Sequence, residues 1–374
     1  MQITKLLLDN FRNFASKKFS FSQSLVLFVG INGAGKTNIL EALTLLGRNS
    51  SLRGADFEEM IFFDKINDEK KSQFAIYAEI SNHQFIEKIG LSFCVTNKKK
   101  IFEINGEPFK GKRQAELKSY LINFIALTPQ LEQLFISGKS ARRDYLDKIV
   151  SDLDSWHLTR INNYQKLLKE RLLILQKYNG KTSSAKWLDI IENQIVELGI
   201  AIAFARIEAI DFFNRAITSF SSSFPKPKLI VKGDIEELAL KQSAVVIEEF
   251  YKEKLLQNRA QDLANFKTDF GVHRGDFDAI LTTKNMSAIY CSTGEQKSIM
   301  IGITLARAKI SANYKNQPTI LIFDEVVSHL DNQRKSDLFA EIKLSNLPTF
   351  LSATSKDLVP QQFLENNSIQ IIEI

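Results

Sequence analysis

Gly30-Ile31-Asn32-Gly33-Ala34-Gly35-Lys36-Thr37-Asn38 is the stretch whose reading decides the fold. It fits a glycine, four free positions and then Gly-Lys-Thr, the pattern of a phosphate-binding loop. The spacing has a chemical reason. Glycines let the backbone curl so that successive N–H groups face phosphate oxygens, while Lys36 reaches the outer phosphates and Thr37 offers a hydroxyl to Mg²⁺. The flanks agree. Leu25-Val26-Leu27-Phe28-Val29 is an apolar run that reads as a buried strand, and residues 38–46 read as a helix ended by Gly47. That helix would point its N-terminal dipole at the phosphates. A nucleotide-binding α/β unit is expected.

Composition narrows the class. With 374 residues there is room for two or three domains with full cores. Hydrophobic content of 44% and charged content of 25% are ordinary for a soluble globular chain. Two cysteines, Cys94 and Cys291, offer neither a disulfide framework nor metal-ligand spacing, which predicts a reducing compartment. There is no apolar run of about 18 residues, and residues 1–9 alternate like a strand rather than a signal peptide. A cytoplasmic protein without a membrane partner is expected. A net charge of +6 and a pI near 9.0 permit nucleic-acid binding and favour it only weakly.

Outward from the loop, residues 1–29 read as two or three strands. Arg53, in a polar loop near the nucleotide, reads equally as a phosphate or DNA contact or as a solvated arginine. Residues 73–105 alternate with turn signals at Ser81-Asn82, at 97–100 and at Asn105-Gly106, an antiparallel meander. The triplet Lys98-Lys99-Lys100 is a hydrated hairpin tip or a DNA contact. Residues 115–268 turn helical. One long helix is expected from Lys139 through Leu175, a turn over 179–184, and a second from Trp187 to Ile217, roughly 50 Å long at 1.5 Å per residue. The two form an antiparallel hairpin arm. Phe224-Pro225-Lys226-Pro227 stops that pattern, residues 229–231 are a short strand, and 236–265 are a third helix. The last hundred residues return to αβ, with strands at 277–281, Thr319–Phe323 and 349–353, the last ending at Thr354.

Thr319–Phe323 is wholly apolar, as in a buried parallel strand, and ends in Asp324-Glu325. That is the second half of a nucleotide site: an aspartate at the strand tip helps hold Mg²⁺, and a glutamate orients or deprotonates the attacking water. If Lys36 and Asp324 share one site, the nucleotide lobe is built from both ends of the chain. The helical middle is then an insertion. The domains expected are 1–120 and 269–374 for the nucleotide lobe and 121–268 for the helical one.

Ser292-Thr293-Gly294-Glu295-Gln296, opening a helix ahead of Asp324, resembles the signature of ABC-type ATPases. The resemblance implies that Ser292, Gly294 and the helix N-terminus cap the γ-phosphate held by the loop of a second subunit, making ATP the glue of a head-to-tail homodimer. Ser328-His329-Leu330-Asp331 resembles the loop that crosses between subunits there. Three further segments look like the RecF family of bacterial recombination mediators. They are Leu8-Asp9-Asn10-Phe11-Arg12-Asn13-Phe14, Gly138 through Asp147 with its Arg142-Arg143 pair, and Gly271-Val272-His273-Arg274-Gly275-Asp276. Two departures stand out: Glu325 replaces a second aspartate, and Val272 a proline.

This second resemblance implies an ABC-type ATPase head, with a mixed sheet, an antiparallel meander and an inserted mainly helical lobe. It implies ATP and Mg²⁺ as cofactors, slow DNA-dependent hydrolysis, and clamping of duplex DNA near single-stranded gaps. RecO and RecR are the implied partners, helping to load RecA onto gaps and supporting the SOS response. Gly30 to Asn38 bind ATP, Thr37 and Asp324 serve Mg²⁺, Glu325 activates water, and Thr354 stands at a switch position. Gln130, after Pro129, is a candidate for the glutamine that senses Mg²⁺. Arg142, Arg143, His273 and Arg274 are either structural ion-pair residues or contacts to DNA or nucleotide. An SMC-type chromosome protein would carry a far longer coiled coil, and a transporter subunit would place its signature much closer to the loop. A clamp that binds ATP without hydrolysing it is the remaining alternative.

Overall fold

The computed structural model describes residues 1–47, 52–64, 67–82, 85–109, 122–178, 185–220, 224–315, 317–328, 330–365 and 368–374. The chain divides into two compact units. One is Met1–Glu132, Phe220–Phe224 and Met300–Ile374, and the other is Gln133–Ser219 and Pro225–Ile299.

The first unit holds two large sheets. One is parallel, in the order Asn123–Leu127, Thr319–Phe323, Thr349–Ala353, Leu25–Val29, Gln370–Glu373. Both Thr319–Phe323 and Thr349–Ala353 are buried at every position, which is why they read as unbroken runs rather than as alternations. Parallel pairing brings the C-terminal ends of four strands to one edge, so Thr128, Asp324, Thr354 and Gly30 follow one another along it, where α/β sheets bind ligands. The helix Lys36–Leu45 buries Ile39, Leu40 and Leu43 completely, each worth about 1.5–3 kcal/mol.

The second sheet is antiparallel, in the order Phe14–Ser20, Gln2–Phe11, Gln73–Asn82, Phe85–Cys94, Lys99–Ile104, Glu107–Pro108. Alternation sends Leu6, Leu8, Ile76, Ala78, Ile89 and Leu91 into one core with Phe28 and Leu43. The expected meander is present. Its tip at 83–84 lies outside the described residues.

The second unit is helical around a core of Tyr164, Leu175, Ile191, Ile195, Ile202, Tyr251 and Val272. The long helix expected from Lys139 is in fact two, Lys139–Ser151 and His157–Tyr178. Asp154 makes the break: its Oδ1 accepts the Trp156 N–H at 2.9 Å and its carbonyl accepts His157 N–H at 3.2 Å. Such a local turn competes with the helix ladder. Ala185–Thr218 runs 34 residues and packs against His157–Tyr178, with the connection 179–184 outside the described residues. The single helix expected over 236–265 is three, Asp234–Ala239, Ala244–Gln257 and Arg259–Asn265.

The units depart from the expected domains in three places, of which Phe220–Phe224, grouped with the first unit, is the smallest. Position 120 lies outside the described residues, but Asn123–Leu127 pairs with Thr319–Phe323 and so belongs to the nucleotide sheet. Residues 269–299 group with the helices, because Asp276–Leu281 pairs with Pro227–Lys232 in a three-stranded sheet. An alternating strand shows its buried face in sequence, not its neighbour. Among the described residues, no helix is long and apolar enough to cross a membrane.

Candidate nucleotide site

The loop between Val29 and Lys36 turns on two glycines. Gly33 (φ 86°) and Gly35 (φ 110°) sit in the left-handed region that side chains disfavour. A Cβ on Gly35 would also fall 2.5 Å from Asn13 Nδ2 and 2.8 Å from Phe14 Cζ. Asn13 closes on the loop: its Nδ2 donates to Ala34 O at 3.0 Å, and its Oδ1 accepts from Asn38 Nδ2 at 2.8 Å. Ile31, Asn32 and Gly33 form the exposed crest, with Ala34 half-buried behind them. Lys36 is only 4% exposed, and its Nζ donates to Gly30 O at 2.8 Å and Ile31 O at 3.0 Å.

The two ends of the chain meet here. Thr37 Oγ1 donates to Asp324 Oδ1 at 3.0 Å, and Lys36 Nζ lies 3.9 Å from Glu325 Oε1. Burial raises the Asp324 pKa above the ordinary carboxylate value, and the hydroxyls of Ser352 and Thr37 offset part of that rise. Glu325 has a left-handed backbone (φ 57°). Gln130 lies in the short helix Pro129–Glu132 just past Asn123–Leu127, exposed, and Asp324 N–H to Leu127 O at 3.0 Å ties the two strand ends together. Thr354 follows the next strand and is exposed. Sequence reasoning missed Ser352, whose hydroxyl donates to Asp324 Oδ1 at 2.7 Å. Its only sequence signal is a hydroxyl near the end of a core strand.

Beside the loop opens a pocket of about 690 Å³, lined among others by Arg12, Asn13, Asn38, Arg53, Phe63 and Asp64. Arg12 Nε donates to Glu41 Oε2 at 2.8 Å and Nη1 to Glu59 O at 3.1 Å, while Nη2 is buried with no partner among the described residues. Arg53, ambiguous in sequence, reaches Asn38 Oδ1 at 3.4 Å. These features fit a nucleotide. The crowded Gly35 leaves room for backbone only, Arg12 has an unused donor, and Thr37 with Asp324 presents hard oxygens of the kind Mg²⁺ prefers. Among the described residues no three His, Cys, Asp or Glu gather as a self-sufficient metal site. A Mg²⁺ that arrives with phosphates needs only one or two carboxylates.

The remaining expected residues are held by partners of their own. Asp331 caps the helix Asn332–Ser345, accepting Arg334 N–H at 2.8 Å, and the preceding His329 is outside the described residues. Ser292 heads the helix Thr293–Tyr314 in a capping box. Its N–H (2.9 Å) and Oγ–H (2.8 Å) both reach Glu295 Oε2, and Lys284 Nζ holds Glu295 Oε1 at 2.6 Å. The Lys284 bond, with those from Ser292, holds Glu295 down to about 2. Gly294 is the second residue of that helix.

Arg143 Nη1 donates to Gly275 O at 2.9 Å, and Arg142 pairs with Asp276. His273 is clamped between Tyr164 OH (2.9 Å to Nδ1) and Thr268 O (2.8 Å to Nε2), and Arg274 is 41% exposed beside Asp269. Periodicity gives no sign of the buried cluster in which Arg206 donates to Asp147 Oδ2 at 2.8 Å and Glu236 Oε1 at 2.7 Å.

Fold and loop together define a phosphate-loop head of the SMC kind. Residues 2–359 match the family described as RecF/RecN/SMC N terminal domain. The chain belongs to that family and, within it, to the RecF proteins. It is 32% identical to the DNA replication and repair protein RecF of Rickettsia felis over 371 residues, which is 99% of this chain and 97% of that one. It is 32% identical over 360 residues to its counterpart in Mesorhizobium japonicum, covering 95% and 92%. Among solved structures it is similar to the recombination mediator protein RecF–ATP of the RecFOR pathway, with a TM-score of 0.75 and 25% identity over 96% of this chain and 93% of that one. The Smc head bound to the C-winged helix domain of ScpA shares the fold, with a TM-score of 0.54 and 16% identity over 96% and 90% of the two chains.

Proposed function

We propose that the chain is an ATP-dependent DNA clamp of replication and recombinational repair, which uses slow hydrolysis as a timer. The observation that carries this reading is the Thr37–Asp324 bond at 3.0 Å, because it joins loop and carboxylate from opposite ends of the chain. Family membership and the names of the relatives supply the biological setting.

In this reading the amides of Gly30 to Thr37 wrap the phosphates, and Lys36 leaves the Gly30 and Ile31 carbonyls to meet the outer ones. Arg12 and Arg53 face the rest of the nucleotide from the adjoining pocket. Thr37 and Asp324 hold Mg²⁺, with Gln130 at its periphery. When bound, Mg²⁺ would neutralise charge developing on the phosphates. Glu325 orients and deprotonates the attacking water. Ser292 and Gly294 of a second copy cap the γ-phosphate, with Asp331 in the crossing loop. The Ser292 hydroxyl turns from Glu295 to do so. The DNA partner is duplex adjoining a single-stranded gap. RecO and RecR are the protein partners in loading RecA during the SOS response, in the cytoplasm at the nucleoid.

The test is affinity for gapped duplex, with and without Mg²⁺ and ATP, across a salt series. Log affinity should fall linearly with log salt as phosphate contacts release counterions. ATP should strengthen binding in the parent and have no effect in Lys36→Ala. A flat salt response, or an ATP effect that survives Lys36→Ala, overturns the reading.

A further inference from the structure

We propose that Ser352 is a positioning residue of the nucleotide site, setting the orientation of Asp324 and Glu325 through one hydroxyl. This inference rests on the nucleotide reading above. Ser352 is fully buried, one residue before the end of Thr349–Ala353, the strand that pairs in parallel with Thr319–Phe323. Its single proton goes to Asp324 Oδ1 at 2.7 Å, so its oxygen is left to accept the Glu325 N–H at 2.9 Å.

Each bond has a consequence. Asp324 Oδ1 receives both hydroxyls, from Ser352 and Thr37, so Oδ2 is the oxygen without a protein donor among the described residues. With Thr37 turned to a metal, Ser352 would be the hydroxyl still bonded to that carboxylate and would set its rotation from the protein side. Glu325, for its part, sits at φ 57°, a conformation that a residue with a Cβ disfavours. The bond to Ser352 holds its backbone there and so aims its side chain. Loss of the hydroxyl therefore disturbs the metal ligand and the water-orienting group together. It leaves the loop that holds the phosphates untouched.

The experiment compares the full-length parent with Ser352→Ala and Ser352→Thr. A fluorescent ATP analogue is titrated in Mg²⁺ and in EDTA, single-turnover hydrolysis is followed at saturating ATP, and melting temperatures are recorded. For Ser352→Ala, affinity in EDTA should stay within about twofold, the Mg²⁺-dependent gain in affinity should fall about tenfold, and hydrolysis should slow at least as much. Ser352→Thr keeps the hydroxyl on a side chain suited to strands and should restore both. An unchanged Mg²⁺ gain and rate in Ser352→Ala overturn the proposal, even if its melting temperature drops. So does a well-folded Ser352→Thr that fails to restore them. A parent that binds no nucleotide in either medium overturns the nucleotide reading itself, and this inference with it.

Discussion

Arg142 and Asp276 meet through two parallel bonds, Nε to Oδ1 and Nη2 to Oδ2, both at 2.8 Å. The guanidinium is buried, and it also donates to the Phe135 and Ser137 carbonyls. A cation so engaged is a structural cross-link between the helix Lys139–Ser151 and the strand Asp276–Leu281 rather than a phosphate contact. Breaking one partner of such a pair leaves a buried charge and costs about 3–5 kcal/mol. Arg142→Ala should therefore lower the urea midpoint sharply, and Arg142→Lys should recover little because the fork is lost. Urea unfolding of the two variants checks this. Near-parental stability of Arg142→Ala would contradict it.

His273 should be neutral at physiological pH. Burial is the largest cause, reinforced by Arg274, Arg143 and Arg206, and together they bring it from 6.5 to about 4. The geometry agrees. Thr268 O can only accept, so Nε2 carries the proton and Nδ1 accepts from Tyr164 OH. Because the folded value lies below the unfolded one, the unfolded chain takes up the proton first on acidification. The contribution is intact above 6.5 and drains as pH falls toward 4, about 2 kcal/mol by pH 5. The difference in pH dependence between the parent and His273→Gln measures it. An imidazole titrating by NMR at its ordinary value would contradict the assignment.

Much of the nucleotide lobe is legible in sequence because its signals are local. An apolar run, a glycine-spaced loop and the largely apolar helix after it are each fixed by neighbours in the chain. So is the apolar strand that ends in Asp324-Glu325. What stays hidden depends on distant partners. Asp276–Leu281 alternates like any half-buried strand, and only its pairing with Pro227–Lys232 sets it among the helices. Asp154 reads as one more polar position until its side chain is seen to cap Trp156. Ser352 reads as strand filler until Asp324 and Glu325 arrive from the neighbouring strand.

Gly35→Ala separates the loop's shape from its charge. The new Cβ meets Asn13 Nδ2 at 2.5 Å and must also adopt φ 110°, a strain of about 1–3 kcal/mol. Shortening Asn13 relieves the Asn13 contact and leaves both the Phe14 ring at 2.8 Å and the backbone strain, so Gly35→Ala with Asn13→Gly should still bind ATP at least about tenfold more weakly than the parent. Calorimetric titration with Mg²⁺ and ATP reads this directly. Parental affinity in the double variant would mean that the loop does not need its left-handed turn.

In the proposed clamp, one nucleotide is shared by the loop of one copy and the Ser292 helix of another. Light scattering of the parent and of Glu325→Gln, with Mg²⁺ and ATP on gapped duplex DNA, tests it most directly. Dimers should form only with ATP and persist longer in Glu325→Gln, whose neutral amide cannot take the proton from water. Monomers under every condition, in both proteins, would contradict the shared site.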